Sequence, residues 1–176
     1  MNHWTDPLQH IACAEGIKDG RQYETFAGWW KGTQRSDYML WLLEAVAYPD
    51  DRKLRLLACR FIREIAVDTT RTVWDLLTDE RSRSAVVAAE QYAKGRATDG
   101  ELEAAASLAS DAASLARNEA RAASAAAWAA VSAAECAVAM ESARAQQADI
   151  IRDMIPATEI APLFERYIQT LQGEAP

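Results

Sequence analysis

Apolar residues recur at helical spacing along nearly the whole chain, and no segment longer than a few residues alternates apolar with polar. A first helix is predicted to open at Asp6, with Pro7 in the first helical position and Gln9 three residues after the cap, and to stop at Gly16. A second piece carries Tyr23, Phe26 and Trp30 and ends near Gly32. Ser36 is placed to cap SDYMLWLLEAVAY, which runs to Tyr48 and Pro49. Asp50 and Asp51 then set negative charge at a new N-terminus, where the helix dipole favours it. Leu54, Leu57, Ala58, Phe61 and Ile65 follow as one predicted buried stripe. A short helix holds Val73, Trp74 and Leu77. Thr78 or Asp79 starts the next, which is expected to bury Ala85, Val86, Ala89, Tyr92 and Ala93 before Gly95 ends it.

The second half has a different texture. Thr98 and Glu101 make a T-x-x-E capping box ahead of an alanine-rich run with neither Gly nor Pro before Pro156. At about 100° per residue, Leu102, Ala105, Ala109 and the alanines that continue to Ala134 share one face, while Glu103, Ser107, Ser110, Ser114, Arg121 and Ser132 gather opposite. The phase does not slip at Asn118, so one continuous helix is predicted over 98–155. Alanine favours helix strongly, and its small side chain admits close helix packing. Two residues break the pattern: Glu119 is phased onto the alanine face, and Trp128 onto the polar one. A last helix is predicted over 158–172, through Phe164, Tyr167, Ile168 and Leu171, with Pro162 in its first turn opposing it. The expected fold is all-α. It is a single domain over 1–176, a helical bundle in which short amphipathic helices of 1–97 pack on one long alanine-rich helix.

Composition narrows the partners. The chain has 176 residues and a net charge of −7. Residues 1–97 carry 14 acidic and 14 basic side chains, so the whole excess lies beyond residue 97. A general phosphate-backbone binder, which relies on positive charge, is therefore disfavoured. Cys13, Cys59 and Cys136 are odd in number and widely spaced, which reads as reduced thiols buried as small apolar groups. The start lacks a signal-peptide pattern, and no apolar run is long enough to span a bilayer, so a cytoplasmic protein without membrane contact is expected.

Candidate chemistry is sparse. His3 and His10 stand seven apart without converging ligands and read as surface residues, so no metal or cofactor is expected. No nucleophile elbow, phosphate loop or paired acid–base signature occurs, and no catalytic residue is assigned. Asp50–Asp51 and Asp79–Glu80 are explained by helix capping. Arg52, Lys53, Arg60 and Arg63 fall opposite the Leu54–Ile65 stripe, either as a solvated face or as a seat for a phosphate or an acidic partner. Five of the six tryptophans lie in the first half, where they supply bulk to pack against alanine. Trp128 stands apart as a covered residue or an interface anchor.

At DYMLWLL (37–43), DRKLRLLAC (51–59), LTDERSRSAVVAAEQYAKGRATDGELEAAAS (77–107) and QADIIRDMIP (147–156), the chain resembles an uncharacterised alanine-rich, all-helical family of phages and of bacteria including planctomycetes. More distantly, its alanine pattern is similar to that of immunity-type proteins of bacterial toxin systems. The resemblance implies an intracellular helical protein and brings no activity or catalytic residue with it. The expected function is that of a non-enzymatic protein-interaction module, of an immunity or counter-defence type. A protein partner is expected at Trp128 or at Arg52, Lys53, Arg60 and Arg63, and a second copy could pair along the alanine face. The alternatives are an enzyme or small-ligand binder with a site between helices, and a nucleic-acid accessory protein using the same four cations.

Overall fold

A computed structural model describes residues 3–108 and 133–173. Among these residues the chain is all-α. A 3-10 turn at Asp6–Leu8 precedes α1 (Ala14–Gly20), α2 (Phe26–Gly32), α3 (Ser36–Ala45), α4 (Asp51–Glu64), α5 (Val73–Leu76) and α6 (Glu80–Ala93). Residues 99–108 are helical (α7), and α8 (Ala133–Met154) and α9 (Ala157–Leu171) follow. The only β pairing among the described residues is one antiparallel bridge, Ala66 to Thr72. The predicted continuity of 98–155 rests on 109–132. Those residues, with Asn118, Glu119 and Trp128, lie outside the described ones. No described helix is long and apolar enough to cross a membrane.

The chain divides into two compact units, Met1–Pro49 with Arg144–Pro176, and Asp50–Ala143. In the first, α2 packs on α9. Trp29, Trp30, Met39, Leu42, Leu43, Ile151, Ile155, Ile160 and Phe164 are buried there. Phe26 stacks on Phe164 with ring centres 4.1 Å apart, and Trp4 meets Phe164 edge-on at 5.8 Å. Trp4, Trp29 and Trp30 pack with Phe26 and one another, and Trp4 also with Phe164; the alanine face expected to receive them runs mostly through residues outside the described ones. The expected Ser36 cap does not form. Arg35 occupies the cap position, and the Ser36 hydroxyl instead bonds Gln147 Oε1 at 2.7 Å.

The predicted helix from Asp6 to Gly16 is replaced by the 3-10 turn and a separate α1. The Asp6 carboxylate accepts from the His3 amide at 2.8 Å and from Arg21 at 3.1 Å, which fixes a turn around it. α1 has its own cap: Cys13 Sγ accepts from the Gly16 amide at 3.3 Å, so Gly16 sits inside the helix it was expected to end.

In the second unit α4 packs on α5 and α6, burying Leu57, Cys59, Ile65, Val86 and Ala93. Ala58 of the predicted stripe is exposed, because the contact face of α4 is rotated toward Cys59. The local caps form as read: Asp50 accepts from Lys53, Asp79 from Arg81, and Thr98 exchanges bonds with Glu101. Gly95 closes α6 at φ 69°, a backbone region that favours glycine.

Candidate functional site

A cavity of about 410 Å³ opens in the first unit, between the N-terminal segment, α1, α2 and α3. Its buried lining is Thr5, Leu8, Trp29 and Leu42, half-buried Trp4, Ile17 and Trp41 extend the wall, and exposed Ile11 and Cys13 mark the outer part. This lining comes from residues 4 to 42, on elements too short to show strong periodicity. Its nearest sequence signal is the cluster of tryptophans.

The polar atoms around the cavity are largely bonded to the protein itself. Trp4 donates its indole N–H to the Tyr23 carbonyl at 3.0 Å, and Trp29 donates to Asp19 at 2.7 Å. The Asp19 carboxylate also accepts from the Thr33 hydroxyl at 2.8 Å. His3, expected at the surface, is half-buried. Its Nε2 faces the Tyr23 carbonyl at 3.0 Å, which requires the hydrogen on Nε2 and leaves Nδ1 to accept from Thr5 Oγ1 at 2.8 Å.

Asp37 is a carboxylate in the lining, and Arg35 grips it at both oxygens, at 2.9 and 2.7 Å. These bonds hold Asp37 below the usual carboxylate range, while Arg144 lies 3.9 Å away. The Arg35 guanidinium also covers the Tyr38 ring at 4.0 Å. Desolvation pushes the Tyr38 hydroxyl up, with a smaller rise from its hydrogen bond to Cys13. Cys13 is exposed, against the expectation of a buried thiol, whereas Cys59 is buried and raised by desolvation.

The four cations read from the sequence are divided in their roles. Arg52 is exposed and Lys53 half-buried. Arg60 is paired with Glu64 at 2.6 Å within α4. Arg63 crosses to Glu90 on α6 in a two-pronged pair and lies 4.0 Å from the centre of the Trp74 ring. Arg60 and Arg63 are therefore bound within this unit. Arg55 escaped the sequence reading: it lies over Tyr92 at 4.9 Å, and its buried Nε has no hydrogen-bond partner among the described residues. Its only sequence signal is its position four residues before Cys59, on the face that the packing selects.

Among the described residues, no group of three or more His, Cys, Asp or Glu side chains could hold a metal ion. No protein-family model, curated protein or solved structure matches this chain.

Proposed function

We propose that the protein is a non-enzymatic binding protein and that the indole-walled cavity of its first unit is the binding site. The observation that carries this reading is the combination of size and lining. About 410 Å³ falls within the range of small-molecule pockets, roughly 300–1,000 Å³, and the wall is built from Trp4, Leu8, Ile17, Trp29, Trp41 and Leu42. Acid–base or nucleophilic chemistry needs a group free to exchange a proton beside a nucleophile. Here Asp37, the one carboxylate in the lining, is held at both oxygens by Arg35. The test is a titration with small apolar fragments followed by amide and indole NMR signals. Shifts concentrated on Trp4, Ile17 and Trp41 are expected. Shifts scattered over both units, or none, would overturn the reading.

A second reading, a protein-interaction surface, is favoured by the second unit. Leu76, Val87 and Leu108 are 49%, 40% and 52% exposed, and Val87 borders an open groove with Trp74, Arg83 and Arg96. The resemblance noted above makes an immunity or counter-defence partner the natural candidate. Val87→Asp and Leu76→Asp should abolish stoichiometric co-elution of a partner from the native host without changing the circular dichroism spectrum. Light scattering separates that outcome from pairing of two copies. Co-elution unaffected by either substitution would remove this reading.

A further inference from the structure

We infer, resting on the cavity reading above, that the ligand is a small, uncharged aromatic molecule. Three observations converge on this class. The first is shape. Trp4, Trp29, Tyr38 and Trp41 all contribute to the lining. Trp4 and Trp29 pack against each other with centres 5.4 Å apart at 42°. Their N–H groups are both bonded to protein acceptors, so a ligand meets the carbon frame of these rings and gains by offset or edge-on aromatic packing.

The second observation is charge. Asp37 is the one charged side chain among the lining residues, and Arg35 takes both of its oxygens, so the lining itself offers no unpaired charge for a ligand ion to answer. An ion entering would lose its hydration without gaining a partner, a strongly unfavourable exchange. A neutral ring system incurs no such cost. The third is size. At about 30 Å³ per water-sized group, the cavity admits roughly fourteen such groups, the scale of two or three rings.

A matched pair of dyes tests the inference: neutral N-phenylnaphthylamine and its sulfonated counterpart, anilinonaphthalene sulfonate, titrated into the full chain by fluorescence. The neutral dye is expected to bind saturably, one per chain, and the sulfonate about tenfold or more weakly. Ile17→Trp fills the cavity and should abolish binding of the neutral dye. Ala12→Leu, a smaller filling change on the same lining, gives the answer if the larger one loses its helical circular dichroism. Sulfonate binding as tight as that of the neutral dye, at a site still sensitive to these substitutions, would overturn the ligand class and leave the cavity standing. Displacement of the neutral dye by a straight-chain alcohol better than by naphthol would have the same meaning. No saturable binding of either dye, or binding that neither substitution changes, would overturn the cavity reading itself.

Discussion

The indole N–H of Trp30 donates to the carbonyl of Ile155 at 2.8 Å, joining residues 125 positions apart, and both side chains are fully buried. The carbonyl lies just past the end of α8, where the helix leaves its last acceptors unpaired. Trp30 thereby satisfies a main-chain group that water cannot reach, while its ring packs near Phe26. Trp30→Phe keeps an aromatic body and deletes the donor. The expected loss is about 1–3 kcal/mol for the orphaned carbonyl, with a further cost from the reduced volume. Urea denaturation followed by far-ultraviolet circular dichroism measures it. A midpoint indistinguishable from that of the parent protein would show that the bond adds nothing.

Two glycines of α1 should respond in opposite directions to alanine. A Cβ on Gly16 would lie 3.4 Å from Cys13 Sγ and 3.7 Å from the Tyr38 ring, which is ordinary contact. Alanine there lowers the entropy of the unfolded chain and favours helix, so a gain of about 0.5–1 kcal/mol is expected. At Gly20 the same Cβ would lie 2.6 Å from Thr5 Cγ2 and 3.0 Å from two Trp4 ring carbons. Thr5 is buried and Trp4 is wedged among aromatic rings, so neither yields readily. Gly20→Ala should destabilise by about 1–3 kcal/mol, as overpacking does. Parallel thermal melts compare the pair, and equal shifts in one direction would contradict the packing around α1.

What was legible in the sequence was local. The Asp50 and Asp79 caps, the Thr98–Glu101 box and the Gly95 stop each depend on a few consecutive residues, and each forms where the pattern places it. The last helix was also legible. It starts at Ala157 and passes through Pro162 because Ile160 and Phe164 are buried on one face, whereas the proline is exposed. Tertiary competition was not legible. Asp6 looked like a helix cap, yet His3 and Arg21 claim its carboxylate, and Cys13 becomes the cap instead. Ser36 likewise exchanges a local role for Gln147, 111 residues away. The cavity is harder still to read, since its wall joins Trp4, Ile17 and Trp41 from three separate segments and no spacing rule links them.

Arg63 shows the same limit and can be tested directly. Sequence periodicity sets it on a solvated face, but in the second unit it ties α4 to Glu90 of α6 and covers Trp74 of α5. Glu90 is only 16% exposed, while Arg63 is 35% exposed, so solvent screens part of the attraction. Arg63→Met keeps much of the aliphatic bulk and removes the fork, leaving Glu90 short of its partner. A loss of about 1–2 kcal/mol is expected. Arg63→Lys should recover little of it, because an ammonium cannot reproduce the two-pronged contact. Arg60→Met, which releases a more exposed pair within one helix, should cost under about 0.5 kcal/mol. Equal effects at the two positions would argue against a bridging role for Arg63.

Asp79 supplies a prediction about acid. Its carboxylate is held down to about 2 from an ordinary 3.8, first by the side-chain bonds from Arg81 and then by the Arg81 amide. The folded chain therefore releases this proton more readily than the unfolded one. Between those two values the unfolded state binds more protons, so the charge-dependent stabilisation is present above about pH 4 and disappears as pH falls through about 2. Asparagine is also a good helix cap and accepts the same amide bond, so Asp79→Asn removes mainly the ionic part. The expected result is a lower melting temperature for the variant near neutral pH and a gap that narrows steadily on acidification, closing near pH 2. Added salt should narrow the gap at neutral pH as well, because the Arg81–Asp79 pair is solvent-exposed. Thermal melts of both proteins across this range decide it: a gap that stays constant with pH would mean that the cap works through its hydrogen bond alone and that the ionised form has no special advantage.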